Sequence, residues 1–523
     1  MICHKYLSSN INQIVSLSLY GYDGVPGQIN RFYAYGFTLE EFIHLKSLSL
    51  SYFDEQQITD KIIVGLSTLS NLTHLLFEHC KFPTNKADSS LLMNTIWTLP
   101  NLIYCYFHEA FVYEWSYARF VVPTVISSSI KYLSIIGVDY GYQSVRIFEH
   151  TPNLKHLFVL ALGKWWSFQF SMPILSITTL QFSGNSYSKP LDLVEWLPNL
   201  SKLKFALSNM QYYVSIGEEW EDIIHQHLKK LKIFQFKIEF DLNEDENNEK
   251  RIDRMLDTFR SRFWHDEHQW FIQYDWCLDE SKVCFYTLPY AFNEFPLDSF
   301  ILSKSTCSPN MYQSSYDQVH HLICNVDFFK YSTLLNSQFC NIEKLSIRFP
   351  INEQLWFIIP TFDRLASLDI LSSRPDQNCK SQFQALLDRA PHLTSLNIHD
   401  YWFSWPSEMI IFNKNNASIS QLNVLLSDVL YDNEQCIALC DISLAAQCQV
   451  LSIRVTNRTC ILDLINGMNN LRVLNVQCHD DQSIKNTMSD EDELSHWLSE
   501  HQPASCAILD IVRSGKTIHL WIR

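Results

Sequence analysis

The chain has 523 residues, of which 47% are hydrophobic, 14% aromatic and 18% charged, and its formal net charge is −16. This composition excludes a disordered or low-complexity chain, because it supplies enough apolar surface for a large core. The acidic excess repels polyanions, so we expect neither nucleic acid nor an anionic membrane surface as a partner.

The first residues of the chain lack the apolar segment of a secretory signal, and no run of about 18 apolar residues predicts a membrane span. The 15 cysteines are scattered, and no CxxC pair occurs among them. This distribution is typical of free thiols in a reducing compartment. We therefore expect a cytoplasmic or nuclear protein.

One short pattern recurs: a large apolar residue, two variable positions, a central residue that is usually Leu, one variable position, and another apolar residue. Nine matches centre on Leu17, Leu48, Leu75, Cys105, Leu133, Leu157, Leu180, Leu203 and Phe234, and seven more on Leu322, Leu345, Leu368, Leu396, Leu422, Leu451 and Leu474. The mean spacing is about 27 residues in the first set and about 25 in the second, inside the range of roughly 20–29 that leucine-rich repeats show.

The last two apolar positions of each match lie two residues apart, so they face the same side of a short strand. Helix-compatible segments such as Ile58–Leu69 and Ser90–Leu99 lie between the strands, and several are followed by Pro-Asn-Leu, where proline stops a helix. The sequence therefore predicts an α/β fold, a horseshoe-like leucine-rich-repeat solenoid of parallel strand–helix repeats. In the first eight repeats only Cys80 and Asn185 supply the Asn or Cys that usually follows the strand, so we expect an irregular solenoid.

Residues 241–320 break the period. Apolar residues from Ile252 to Phe263 follow helical spacing, and two β-rich runs around residues 279–282 are typical of a hairpin. A second hairpin signature, residues 508–522, lies where a solenoid needs a cap over its last repeat. We therefore predict a first repeat half at 1–240, a helix–hairpin insert at 241–320, and a second half with a C-terminal β-hairpin cap at 321–523.

Aromatic residues concentrate at the variable strand positions of the fourth to sixth repeats, which face the concave side of such a solenoid. Clustered exposed rings are typical of protein-binding hot spots. The candidate partner-binding residues are Tyr104, Tyr106, His108, Tyr132, His156 and Phe158 on the strands, with Trp115, Trp165 and Trp166 in the following loops. The alternative is that these rings pack against one another or under long loops. The equivalent positions of the second half are more polar: Arg348, Asp369, Asn397, His399, Asn423 and Arg454.

The sequence contains no glycine-rich phosphate loop and no nucleophile elbow, so we expect no catalytic residues, no metal and no cofactor. His265 and His268 share a helical spacing, and with Asp275 they define a rival hypothesis, an enzyme or metal-binding protein with its site in the insert. A structural role is the simpler interpretation of these residues and of the Cys436 and Cys440 pair.

Several segments resemble the repeat portion of a large F-box/leucine-rich-repeat-like family: residues 11–17, 25–29, 42–48, 267–271 and 286–292. In that family an N-terminal F-box binds the adaptor of a cullin–RING ubiquitin ligase, and the repeats hold the substrate. The resemblance therefore implies a protein-interaction scaffold that serves as the substrate-recognition part of a ligase. Only about 13 residues precede the first repeat, so an adaptor contact would need an F-box encoded upstream. The alternative is a repeat-only relative without a ligase role.

Overall fold

The computed structural model divides into two units. The first comprises Met1–Tyr274, Ser281–Leu288 and Lys304–Thr306, and the second comprises Asp275–Glu280, Pro289–Ser303 and Cys307–Arg523. The structure describes residues 7–20, 28–53, 56–80, 86–108, 112–113, 116–117, 121–138, 146–161, 172–185, 191–208, 216–241, 248–276, 282–297, 302–307, 315–324, 338–351, 353–373, 377–399, 418–427, 429–481, 493–501, 508–514 and 516–522.

A mostly parallel sheet runs through the first unit. Its strands are β1 (Ser16–Tyr20), β2 (Ser47–Ser51), β3 (His74–Glu78), β4 (Tyr104–His108), β7 (Tyr132–Val138), β8 (His156–Ala161), β9 (Thr179–Asn185), β10 (Lys202–Ser208), β11 (Ile233–Asp241), β13 (Lys282–Leu288), β12 (Phe271–Trp276) and β15 (Leu302–Ser305), in this spatial order. A separate antiparallel pair, β5 (Val112–Tyr113) and β6 (Ser116–Tyr117), lies between β4 and β7 in the chain.

The predicted repeats coincide with the parallel strands of this sheet. Their central residues pair in register from Leu17 to Phe234. The side chains of β10 alternate between half-buried and buried, as a strand with one core face requires. In the core the rings of Phe182 and Phe205 stack at 5.1 Å between centroids, and those of Phe205 and Phe236 at 5.5 Å. The sheet register therefore follows from the apolar spacing of the sequence.

Helices connect the strands of the first unit and cover its core. They are α1 (Gln28–Ala34), α2 (Gln56–Leu66), α3 (Lys86–Trp97), α4 (Ile147–His150), α5 (Leu191–Val194), α6 (Ile216–His227) and α7 (Asn248–Asp257), with 3-10 turns at Ile11–Gln13 and Leu39–Glu41 and a π-helical turn at Phe263–Glu267. In α2 the buried residues Ile58, Ile62 and Leu66 recur every four positions. This spacing places them on one face of the helix, the face that is buried in the core.

The second unit repeats the arrangement. Its sheet has the order β14 (Glu294–Pro296), β16 (His321–Cys324), β17 (Lys344–Phe349), β18 (Ser367–Ser373), β19 (Ser395–Ile398), β20 (Gln421–Asn423), β21 (Val450–Val455), β22 (Val473–Cys478), β24 (Thr517–Ile522) and β23 (Ile508–Ser514). Its helices are α8 (Leu355–Ile358), α9 (Gln377–Arg389), α10 (Asn433–Cys440), α11 (Ser443–Gln447), α12 (Arg458–Gly467) and α13 (Glu493–Glu500). All strands from β14 to β22 are parallel, and the seven predicted repeats pair in register from Leu322 to Leu474.

One parallel strand of the second unit was not predicted. Phe295 on β14 pairs with Leu322, so β14 takes the position of a further repeat strand. The segment Phe292-x-x-Phe295-x-Leu297 has the recurring pattern, with Phe in place of the central Leu. Phe295 precedes Leu322 by 27 residues, so the repeat spacing was the signal that could have revealed this strand.

At one end of each sheet, antiparallel strands replace the repeat. Strand β13 pairs antiparallel with β11, and β12 lies beside β13. In the second unit, β24 pairs antiparallel with β22, and β23 with β24. The interpretation of these strands as an insert and a cap, and the three-part division of the chain, stay predictions.

An asparagine ladder joins neighbouring repeats just before the strands. In each case the side-chain amide donates to a backbone carbonyl of the preceding repeat, at 2.7–3.1 Å. The donors are Asn71, Asn101, Asn153, Asn199, Asn341 and Asn470. After the strand, the Cys80 thiol donates to the Leu50 carbonyl oxygen at 3.2 Å, as expected from its position. Together with the many parallel strands, these features fit a leucine-rich-repeat fold with an α/β composition.

Candidate functional site

The outer sheet face of the first unit is the set of strand side chains that alternate with the buried ones. One column of aligned positions on it contains His74, Tyr104, Tyr132 and His156, on β3, β4, β7 and β8. Successive ring centroids lie 4.2, 4.3 and 4.1 Å apart, and the interplanar angles are 13°, 19° and 3°. The in-register pairing of parallel strands, about 4.8 Å apart, brings these rings together. The four rings therefore form one stacked column.

The next column on the outer sheet face holds Tyr106, Ser134 and Phe158. The rings of Tyr106 and Phe158 are half-buried, and Ser134 between them is buried. His108, further along β4, approaches the Ser134 hydroxyl with its Nε2 at 3.1 Å. Its ring also meets the ring of Tyr106 edge-on, with centroids 6.0 Å apart. Tyr106 and His108 are thus held in place by contacts on the sheet.

The electrostatics of the outer sheet face favour uncharged rings. Burial raises the pKa of Tyr104, and the neighbouring Tyr132 phenol raises it further. Burial is also the main cause of the raised pKa of Tyr106. Burial lowers the pKa of His156, and the positive charges of Lys155 and Lys202 lower it further. At neutral pH Tyr104 and Tyr106 are therefore neutral phenols, and His156 is a neutral imidazole.

The structure brings together the six candidate residues that it describes on the strands. Trp115, Trp165 and Trp166, the three candidates in the following loops, lie outside the described residues. Mutual packing of the rings, the alternative weighed from the sequence, accounts for the stacked column, yet the rings stay half-buried rather than buried. Their role in partner binding stays a prediction.

Sequence reasoning missed His74, the first ring of the column. It occupies the position that Tyr104 has in the next repeat, so extending the column by one repeat would have found it. It also missed Tyr52 and His79, whose rings stack at 4.6 Å directly after β2 and β3. Their φ angles of 56° and 49° lie in the left-handed region, which bulky residues rarely adopt. Nothing in the apolar pattern encodes that conformation.

The outer face of the second unit is polar, and Asp369 is its centre. The carboxylate accepts hydrogen bonds from Ser346 at 3.0 Å and Asn397 at 2.8 Å, and it pairs with the Lys344 ammonium at 2.9 Å. Burial alone would raise the pKa of Asp369, but these donors and the lysine charge hold it below its usual value. The buried anion is therefore well satisfied inside the protein.

The same face contains hydrogen bonds in the order carboxylate, imidazole and hydroxyl. His321 places Nδ1 3.0 Å from Glu294 Oε2 and Nε2 2.9 Å from Ser346 Oγ. A hydrolytic triad has this order, but its serine must give its proton to the imidazole. Here Ser346 donates its one proton to Asp369, and only 4% of its surface is exposed. We therefore interpret the cluster as structural.

The residues of the rival insert hypothesis have structural partners. The His268 ring stacks on Trp270 at 4.1 Å, and burial lowers the pKa of His268. The His265 ring meets Phe271 edge-on at 5.5 Å. In the second unit, the buried Asp275 carboxylate accepts a hydrogen bond from Ser303 at 2.7 Å. Within the described ranges, no three His, Cys, Asp or Glu side chains converge as ligands for a metal ion.

No family model matches the chain, and no curated protein matches it. Among solved structures, 38 chains match, including one from the crystal structure of a TLR13–ssRNA13 complex. That match has a TM-score of 0.25 and 12% identity, and it covers 84% of this chain but 56% of that chain. A likeness at this level decides neither fold nor function. Of the helices in the described ranges, none has the length and apolar character needed to cross a membrane.

Proposed function

We propose that this chain is a protein-interaction scaffold without enzymatic activity, and that the first unit binds a partner protein through its outer sheet face. The observation that carries the proposal is the stacked column of rings on β3, β4, β7 and β8, in which Tyr104, Tyr132 and His156 are half-buried and His74 is exposed. The contact residues of the proposal are Tyr104, Tyr106, His108, Tyr132, His156 and Phe158, joined by Trp115, Trp165 and Trp166 on sequence grounds alone.

The proposal is also supported by contacts that hold these side chains in place before a partner binds. A side chain that is already held by its neighbours loses little conformational entropy when a partner covers it. Tyrosine and histidine edges also combine apolar carbon with hydrogen-bonding groups, which suits a surface that must be stable in water and also bind protein. Parallel strands paired on both sides supply a rigid base for such a surface.

A protein partner explains this surface better than a nucleic acid does. Single-stranded nucleic acids stack their bases on open ring faces. In the column, the two inner rings, Tyr104 and Tyr132, have both faces covered by neighbouring rings. The formal net charge of −16 also opposes a polyanion. Lys202 and Lys204 on β10 and Lys237 on β11 also belong to the outer sheet face, but these strands lie beyond the aromatic ones.

The test compares capture of partners by the wild-type chain and by a Tyr106→Ala, Phe158→Ala double variant. These rings stand outside the stacked column, so their removal leaves the column intact. A Tyr20→Ala, Ile233→Ala variant is the matched control, because both residues are exposed on the same face of the sheet but lie on β1 and β11, away from the aromatic strands. We expect the recovered partner, once purified, to bind the double variant about tenfold more weakly and the control normally. Equal binding to all three proteins would refute the proposal.

Single-stranded RNA forms the second arm of this test. We expect a labelled random oligonucleotide to bind weakly, if at all, in 50–200 mM salt. Tight binding that falls steeply with salt and disappears in the double variant would replace the protein partner by RNA.

We propose the ligase role as a narrower form of the scaffold function, supported by the resemblance of the repeat segments alone. In that form, the cullin-ligase adaptor binds through an F-box upstream of residue 1, and the outer sheet face holds the substrate in the cytoplasm or nucleus. Recovery of the adaptor with the product of the complete transcript would support it. A transcript that starts at Met1 and recovers no adaptor would leave a repeat-only scaffold.

A further inference from the structure

A cleft lies in the connections between strands of the second unit, beside α8 and the last residue of α9. Its volume is about 660 Å³. Three aromatic side chains line it, Trp356, Phe357 and Phe362, together with three charged ones, Glu353, Asp363 and Arg389. The outer sheet face and its candidate residues take no part in this cleft.

The aromatic wall of the cleft is fixed before any partner binds. Phe362 is buried, and its ring meets Trp356 edge-on with centroids 5.6 Å apart. The Arg389 guanidinium carbon lies 4.3 Å from the centroid of the Trp356 ring, in a cation–π contact. Trp356 is therefore held from two directions, by a buried ring and by an arginine.

One large apolar side chain of the cleft is left in water. Phe357 is 69% exposed, whereas its neighbours in α8, Leu355 and Ile358, are buried in the core. Leu355 and Ile358 thus anchor the four-residue helix in the core, whereas Phe357 points into solvent. Covering that ring with an apolar group removes its surface from water, which favours binding.

The charged groups decide which partner fits. Glu353 and Asp363 supply two carboxylates, whereas Arg389 supplies one positive charge, already placed against Trp356. The Thr361 hydroxyl donates to Asp363 Oδ2 at 2.6 Å, and so fixes that carboxylate at the cleft. Because the formal net charge of the chain is −16, the wider field also attracts cations.

We propose that this cleft binds a basic, partly apolar segment of a partner protein. A lysine or arginine side chain of that segment pairs with the carboxylates of Glu353 and Asp363, and an adjacent apolar side chain covers Phe357. The surface is separate from the outer sheet face, so this inference does not rest on the function proposed above.

The test uses the full chain and a fluorescein-labelled, capped peptide, Gly-Ser-Leu-Arg-Lys-Leu-Arg-Ser-Gly, in a fluorescence-anisotropy titration. A second peptide replaces each basic residue by Glu, and a third replaces each Leu by Ser. We expect both replacements to weaken binding at least about tenfold. The Glu353→Gln, Asp363→Asn double variant and the Phe357→Ser variant should weaken binding of the first peptide by a similar factor.

The matched controls lie on α10 of the same unit. Glu434→Gln removes an exposed carboxylate, and Ile437→Ser removes an apolar side chain that is 54% exposed. Both controls should bind the basic peptide as the wild type does, which separates the cleft from general attraction to an acidic protein. Three results would each overturn the proposal: no binding of the basic peptide at about 1 mM, equal weakening in the controls, or preference for the acidic peptide through Arg389.

Discussion

Protonation of one buried histidine should weaken the end of the second unit in mild acid. His519 lies on β24 with 2% of its surface exposed, and its Nδ1 is 2.8 Å from Asn475 Oδ1. The amide oxygen only accepts, so Nδ1 carries the hydrogen and donates. Burial lowers the pKa of His519 from 6.5 to about 4. The folded protein therefore holds the neutral imidazole at pH values where the unfolded chain already binds a proton.

The sign of the pH effect follows from the two pKa values. Above pH 6.5 both states are neutral, and the full stability is present. As the pH falls from 6.5 to about 4, only the unfolded state gains the proton, so stability is lost. One pKa unit corresponds to about 1.4 kcal/mol, so the total loss is roughly 3 kcal/mol, of which about 2 kcal/mol falls between pH 7 and pH 5.

A His519→Asn variant isolates this contribution, because an asparagine amide can donate to Asn475 but does not titrate. Hydrogen exchange in increasing urea, read by mass spectrometry on peptides covering residues 508–522, measures the opening free energy of the two terminal strands. Comparing both proteins at each pH cancels the intrinsic exchange rate. We expect the wild type to lose about 2 kcal/mol more than the variant between pH 7 and pH 5. An equal loss in both proteins would show that the ring is solvated, and the reasoning would be wrong.

Three further substitutions test the packing and the hydrogen bonds. Asp369→Ala removes the anion that Lys344 and its neighbours bind, and we expect urea unfolding of the second unit to show a loss of about 2 kcal/mol, less than for a fully buried pair because the lysine is 43% exposed. An unchanged transition midpoint would contradict that role. Gly217→Ala would place a Cβ 2.5 Å from the carbonyl oxygen of Thr258, and thermal unfolding of the first unit should show a loss of about 2 kcal/mol. A gain in stability would mean that the backbone relaxes around the new Cβ and that the higher helix propensity of alanine determines the effect. Asn101→Ala removes one amide of the asparagine ladder, whose cost of about 1 kcal/mol should appear as faster local hydrogen exchange at that turn. Unaltered hydrogen exchange would show that the asparagine ladder does not stabilise this turn.

The strand positions could be predicted from the sequence because one physical requirement repeats at a fixed interval. Each repeat must bury two side chains that lie two residues apart, and a slip of one residue would expose them. The central residues from Leu17 to Phe234, and from Leu322 to Leu474, are apolar in every repeat because of that requirement. Strand β14 was missed because Phe295 meets the same requirement inside residues 241–320, which we predicted as a break in the repeat period.

The turn asparagines and the stacked rings could be predicted less well. Asn101 follows a proline, and the proline alone was enough to explain why the helix ends there. The sequence therefore did not indicate the hydrogen bond from Asn101 to the preceding repeat. The stack of Tyr104 on Tyr132 needs both the strand register and the side-chain rotamers, and the sequence indicates only the register. Rotamers depend on neighbours from other repeats, which a single repeat does not encode.

The two outer faces explain why we assign partner binding to the first unit's sheet. The buried positions of each repeat are constrained by the core, whereas the outer positions can differ from unit to unit without disturbing the register. In the second unit, Asp369 has satisfied its acceptors with three donors from the same face, so a partner gains little by displacing them. On the first unit's face, the rings of Tyr106 and Phe158 remain half-buried and neutral, and covering them costs no charge desolvation. Our proposal that a protein partner binds the aromatic face therefore rests on this difference in desolvation cost rather than on a difference in fold.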